Sequence, residues 1–203
     1  MNIAVDIDDT LTDSFDYFLP FVAEFFGAEA EELKKRNISY SNLPEECKNR
    51  ELEFCKKYYD KIVENTPFKK DAANAVSRLK AAGHKIIVIT GRTKDFYTDP
   101  YKTTEKELQN GNILYDKLVC TLDKKKACKA EKIELLIDDM PANCKAAAEA
   151  GIPALLFTSK ANAKESVPFP RAENWEEALS FIANLSERVV PPEQSEPHPL
   201  AER

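Results

Sequence analysis

Short apolar runs separated by helical patterns constrain this chain more than any other feature. "NIAV" ahead of Asp6, "KIIVIT" over 85–90 and "IELLID" over 133–138 are too short for buried helices and read as strands buried on both faces. "PALLF" over 153–157 is a fourth strand, and "DKLVCT" over 116–121 is a weaker one. Helical patterns lie between them: "DAANAVSRLKAAG" over 71–83, "YKTTEKELQNG" over 101–111, "KKKACKAEK" over 124–132, and "PANCKAAAEAGI", whose Gly151 suits a helix C-terminus. Alternation at this spacing implies βαβ units with right-handed crossovers. The expected fold class is α/β, a three-layer open parallel sheet with helices on both faces.

Residues 15–66 break that rhythm. They hold "FDYFLPFVAEFFGA", "EAEELKKRN" and "ECKNRELEFCKKYYDKIVEN", all helical in pattern, with no convincing strand. A small helical cap inserted after the first strand is expected, with "NTPF" at 65–68 returning the chain to the core. Phe15, Phe18, Val22 and Phe25 recur at helical spacing, which suits a core-facing stripe; the alternative is an aromatic wall against a substrate ring. Pro20 should start or kink this first helix. After a final helix, "NWEEALSFIANL", residues 187–203 are rich in Pro and charge, and a disordered tail is expected there.

Composition excludes several classes of function. At 203 residues, the chain can form one well-packed domain with a small insert. A net charge of -6 argues against a nucleic-acid polymer as partner, since such proteins display a basic face. "MNIAVDIDD" lacks the basic and apolar regions of a signal peptide, and no apolar run suffices to span a membrane. Cys47, Cys55, Cys120, Cys128 and Cys144 are odd in number and form no C-x-x-C pair, which fits a reduced, cytoplasmic compartment. A monomer or homodimer is expected. His84 and His198 are isolated, so zinc chemistry has little support.

In an open α/β sheet, ligands collect beyond the carboxyl ends of the strands. One strand ends in Asp6-Ile7-Asp8-Asp9-Thr10, another in Thr90-Gly91-Arg92, and a third in Asp138-Asp139. Carboxylates converging on one crevice cannot all stay ionised without a cation. Oxygen-only ligands favour a hard cation, Mg²⁺ above all. Thr90 and Gly91 offer a hydroxyl and backbone N–H groups to an anion. One of Lys124, Lys125 and Lys126, which open a helix at the same edge, can neutralise phosphate charge.

A strand ending in D-x-D-x-T-L, a later strand ending in Thr-Gly, a helix-opening Lys and a strand ending in Asp-Asp stand in this order between residues 1 and 160. This pattern resembles the haloacid dehalogenase-like (HAD) hydrolase superfamily. The early helical insert, "DKKKACKAEKIELLIDDMPANC" and "YTDPYKTTEKEL" are similar to the 5'(3')-deoxyribonucleotidase group and its bacterial nucleotidase relatives. The resemblance implies a Rossmann-like core at 1–14 and 67–186, with 15–66 as the cap. It implies Asp6 as nucleophile and Asp8 as general acid and base. Thr90, Gly91 and Lys124 would bind the substrate phosphate, Lys124 being chosen because that group places a Lys directly after an Asp, here Asp123. Mg²⁺ would be held by Asp6, Asp138 and the backbone carbonyl of Asp8, with Asp139 in the outer shell. Asp9 stands where the superfamily often has Gly.

The expected activity is Mg²⁺-dependent hydrolysis of a phosphate monoester through an aspartyl-phosphate. The partner is a small phosphorylated metabolite, specifically a (deoxy)nucleoside monophosphate. Sugar phosphates and other small phosphometabolites are the alternative, because Phe15, Tyr17 and Phe18 could stack a base or merely pack, and Arg92, Tyr97 and Tyr101 could serve as rim contacts. A phospho-accepting receiver module also groups Asp, Thr and Lys around Mg²⁺. There the acidic pair comes first and the Lys last, whereas here Asp138-Asp139 follows the Lys.

Overall fold

The computed structural model describes residues 1–35 and 48–189. In chain order the elements are β1 (Asn2–Val5), α1 (Ser14–Phe26), α2 (Ala30–Lys35), α3 (Glu51–Asn65), α4 (Ala72–Ala81), β2 (Lys85–Thr90), α5 (Pro100–Asn110), β3 (Lys117–Cys120), α6 (Lys124–Ala130), β4 (Leu135–Asp138), α7 (Pro141–Glu149), β5 (Ala154–Phe157), β6 (Arg171–Ala172) and α8 (Trp175–Val189). The expected strands form one parallel sheet in the order β3-β2-β1-β4-β5-β6. Sequence reasoning missed β6, whose two residues are too short to carry a pattern.

Alternation along the strands divides the core into two layers. Ile3, Val5, Val88, Ile137 and Leu155 face α4 and α8, while Ala4, Ile87, Ile89, Leu136 and Leu156 pack with Ala127, Cys128, Cys144 and Ala147 of α6 and α7. This is the expected three-layer, Rossmann-like arrangement. Cys55, Cys128 and Cys144 are buried and unbridged. Cys47 and His198 lie outside the described residues, as does the expected tail from 190 on; α8 itself runs to Val189, past the expected boundary at 186. No helix among the described residues is long and apolar enough to cross a membrane.

The helices between β1 and α4 have a core of their own, built from Phe15, Phe18, Leu19 and Val22 of α1 against Phe54, Tyr58 and Ile62 of α3. Pro20 does not start α1 but sits inside it. The proline removes one helical hydrogen bond, and the buried apolar face carries the helix through the gap. Chain exit and return are stitched together: Thr12 bridges Phe68 antiparallel, the Asp13 N–H donates to the Pro67 carbonyl at 2.9 Å, and the Lys69 N–H donates to the Leu11 carbonyl at 2.8 Å.

Phe68 also explains Gly111. This residue has an ordinary helical backbone, so its lack of a side chain serves space and not conformation. A Cβ there would lie 2.3 Å from the Phe68 ring. Gly111→Ala should therefore push Phe68 out of place beside the stitch and lower stability by about 1–3 kcal/mol, read as a fall in the urea midpoint at constant slope.

Candidate active site

The strand order reverses between β1 and β4, and that switch point is where an open parallel sheet forms its crevice. Val5 is paired with Ile137, and the Asp6 N–H donates to the Ile137 carbonyl at 3.0 Å. Asp6 therefore leaves β1 level with Asp138 at the end of β4. Carboxylate oxygens of Asp6, Asp138 and Asp139, all buried, lie within 4.8 Å of one another.

Lys124 enters this cluster from the first turn of α6. Its ammonium donates to Asp6 Oδ1 and to Asp138 Oδ2, both at 2.7 Å. Asp123 caps the helix by accepting the Lys126 N–H at 3.0 Å, and that start turns Lys124 inward while Lys125 and Lys126 are exposed. Asp138 also accepts the Met140 N–H at 2.9 Å and is held by Asn143 Nδ2 at 3.0 and 3.1 Å. The Asp139 carbonyl accepts Asn162 Nδ2 at 2.6 Å. Sequence reasoning missed Asn143 and Asn162. Asn143 had a legible signal, being a polar residue in the first turn of the helix that follows Asp138-Asp139.

Three carboxylates against one ammonium leave two surplus negative charges in a buried space. The imbalance is visible in the acids themselves. Burial pushes Asp6 up to about 7 against the pull of Lys124, and burial with Asp138 beside it raises Asp139 well above the carboxylate range. On lysine, burial acts to lower the value, but Asp138 and Asp6 outweigh it and hold Lys124 above its ordinary range. An all-oxygen donor set with two unbalanced charges suits a divalent hard cation.

Asp139, expected in the outer shell, has a carboxylate oxygen within 4.8 Å of those of Asp6 and Asp138. The Asp8 carboxylate is drawn away to Arg92, with Nη2 at 2.8 Å from Oδ1 and Nε at 3.2 Å from Oδ2, and it accepts the Ser14 hydroxyl at 2.9 Å. Burial works against its ionisation, yet Arg92 outweighs burial and holds Asp8 below the ordinary value. Arg92 is no rim residue, being 2% exposed and also paired with Glu107. Thr90 is fully buried, and its hydroxyl has no partner among the described residues; Gly91 is the residue that lines the cavity.

Above these groups lies a cavity of about 310 Å³. Asp6, Asp8 and Lys124 line its base, while Phe18, Tyr59 and Phe96 line its wall. Tyr97 packs against Tyr59 with ring centres 5.1 Å apart and planes tilted by 46°, and also lines the space. The stripe on α1 is core-facing, as expected, and Phe18 also lines the cavity. Tyr17 packs instead on Phe21 at 5.7 Å, and the Tyr101 hydroxyl accepts the Cys120 N–H at 3.4 Å.

Comparison with known proteins agrees with this geometry. Residues 1–189 match the family model for 5' nucleotidase, deoxy (pyrimidine), cytosolic type C protein. A nucleotidase of Clostridium acetobutylicum is 26% identical over 194 residues, covering 93% of this chain and 96% of its own. The crystal structure of a predicted phosphatase from the same organism has a TM-score of 0.65 at 17% identity, over 90% of this chain and 98% of that one. A HAD family hydrolase from Deinococcus radiodurans, solved with bound phosphate and sodium, has a TM-score of 0.61 at 11% identity, over 91% and 96%.

Asp9 has a structural role that its neighbours do not. Its φ of 56° is left-handed, a region Asp tolerates better than most residues. Its Oδ1 accepts the Phe15 N–H at 3.1 Å in the first turn of α1. Asp13, at the helix start, makes no capping bond and pairs with Lys69 at 2.7 Å. Asp9→Ala should lose a cap worth about 1 kcal/mol and add about 1 kcal/mol of left-handed strain. Asp9→Asn keeps the acceptor and should stay within about 0.5 kcal/mol of wild type. Thermal melting of the two variants checks this ordering.

Proposed function

This chain belongs to the cytosolic type C 5'-nucleotidase (deoxy, pyrimidine) family of HAD-like hydrolases, and from that premise we propose that it hydrolyses (deoxy)nucleoside monophosphates through an aspartyl-phosphate on Asp6. It is a phosphoric monoester hydrolase. The observation that carries the finer reading is a cavity with an aromatic wall whose lining includes Asp6, Lys124 and Asp139, with Asp138 behind them on Lys124.

Lys124 holds positive charge against Asp6, which lets an anionic nucleophile meet an anionic phosphate. Asp6, Asp138 and Asp139 would hold Mg²⁺, with the backbone carbonyl of Asp8 as a further ligand; the ion's chemistry is to neutralise charge on the nucleophile and the phosphoryl oxygens. The Thr90 hydroxyl, buried beside Gly91 and without a partner among the described residues, would donate to a phosphate oxygen. An Asp6 carboxylate oxygen bonds to phosphorus, and the ester P–O bond breaks with its electron pair on the leaving oxygen. Asp8, which Arg92 favours as a carboxylate in the free enzyme, would take up a proton as the phosphate dianion arrives, and the leaving oxygen takes that proton. Asp8 then takes a proton from water as the water oxygen bonds to phosphorus, and the bond to Asp6 breaks. Inorganic phosphate leaves, Asp6 is a carboxylate again, and Asp8 is reprotonated.

Residues 15–66 serve as the cap in this reading. Phe18 on α1 and Tyr59 on α3 offer faces on which a nucleobase can stack, and Phe96 offers a third from the loop after β2. The Clostridium acetobutylicum nucleotidase and the phosphate in the Deinococcus radiodurans hydrolase support the same substrate chemistry.

A phosphate-release screen over nucleoside monophosphates and sugar phosphates tests the proposal. Nucleotides should be hydrolysed faster than any sugar phosphate, chelation should abolish the activity, and Mg²⁺ should restore it. Asp6→Asn should be inactive on every ester. Preference for sugar phosphates would overturn the substrate class, and an active Asp6→Asn would overturn the nucleophile.

A further inference from the structure

Arg92 follows Gly91 at the end of β2, where a loop arginine would ordinarily face solvent. Its guanidinium instead spends all five N–H donors inside the protein. Nε and Nη2 donate to the two Asp8 oxygens at 3.2 and 2.8 Å. Nη1 donates to Glu107 Oε2 and, at 3.4 Å, to the Thr104 hydroxyl, while Nη2 also donates to Glu107 Oε1 at 3.3 Å. Thr104 and Glu107 lie on the buried face of α5, and the Glu107 side chain is only 2% exposed.

Such an arrangement is weak evidence for stability, because burying Glu107 and the guanidinium costs about as much as their attraction returns, and Asp8 is only partly buried. Nor is Arg92 a phosphate ligand in waiting, since every donor already has an acceptor. What the network does achieve is geometric. Arg92 grips both oxygens of Asp8, Ser14 adds a bond to one of them, and Glu107 fixes the guanidinium from behind.

We propose that Arg92, braced by Glu107, is a positioning residue that aims the Asp8 carboxyl at the leaving oxygen of the substrate. The inference rests on the assignment of Asp8 as general acid and base. The step affected is the first one: the Asp6 oxygen bonds to phosphorus, the ester bond breaks onto its oxygen, and the proton passes from Asp8 to that oxygen. A misaimed Asp8 leaves the departing oxygen to carry away its full charge. That matters little for p-nitrophenolate, a stable anion, and much for a more basic leaving group such as phenolate.

The test compares kcat and KM on p-nitrophenyl phosphate and phenyl phosphate in Mg²⁺, both independent of the natural substrate. Arg92→Lys should lower kcat on phenyl phosphate by about 10²-fold and on p-nitrophenyl phosphate by less than about 10-fold, with KM little changed. Glu107→Gln preserves shape and should show the same selectivity at smaller size, and it carries the test if Arg92→Lys does not fold. Asp8→Asn should show the selectivity at full strength, and Arg92→Lys added to it should bring no further selectivity, because the arginine acts only through Asp8. Equal losses on both esters, beside a selective Asp8→Asn, would make the network merely structural and overturn the proposal. A shared rise in KM would assign Arg92 to phosphate binding and overturn it too. An unselective Asp8→Asn would overturn the acid assignment itself, and the positioning role with it.

Discussion

Everything at the carboxyl edge of this sheet depends on one buried ammonium. Lys124 sits between Asp6 and Asp138, 2.7 Å from each, at the point where the strand order turns back on itself. Without that charge, the ends of β1 and β4 would bring buried carboxylates together with nothing to offset their repulsion. With it, the local charge is still negative, and the surplus suits a divalent cation and an incoming phosphate group. The capped start of α6 fixes where the ammonium lies, so a local helix signal at Asp123 sets the electrostatics of the whole site.

The loop from Asp6 to Ser14 ties chemistry to architecture. It carries Asp8, and then it opens α1, the first helix of the insert. Ser14 links the two directly, since its hydroxyl donates to Asp8 and bonds Thr12 at 2.6 Å. Asp9 holds the same helix start through the Phe15 N–H. The returning segment at 67–69 pairs back onto this loop, so the insert and Asp8 share one base. Helices that form the wall of the cavity are thereby anchored to the loop that carries Asp8.

Much of this was legible in the residues. Runs such as "KIIVIT" are apolar on both faces because β2 is buried on both, and the acids and Thr-Gly that end the strands converge because parallel strands end at one edge. What stayed hidden depended on pairing across distance. Arg92 reads as a surface residue until Glu107, fifteen positions away, is seen on the same helix face as Thr104 and Leu108. That spacing of three and four residues was available as a signal, but a Glu in a charged helix gives no sign of burial by itself. Asp139 follows the last residue of β4, and there its carboxylate comes within reach of those of Asp6 and Asp138. Asp9 caps α1 because a left-handed turn brings this residue back over the helix start.

The central claim is that Asp6 takes the phosphoryl group before water does. The stereochemistry at phosphorus tests it most directly, using a substrate ester made chiral with oxygen isotopes. Two successive in-line displacements, first by Asp6 and then by water, predict net retention of configuration in the released phosphate. Net inversion would mean that water attacks the ester in a single step, and would contradict the account.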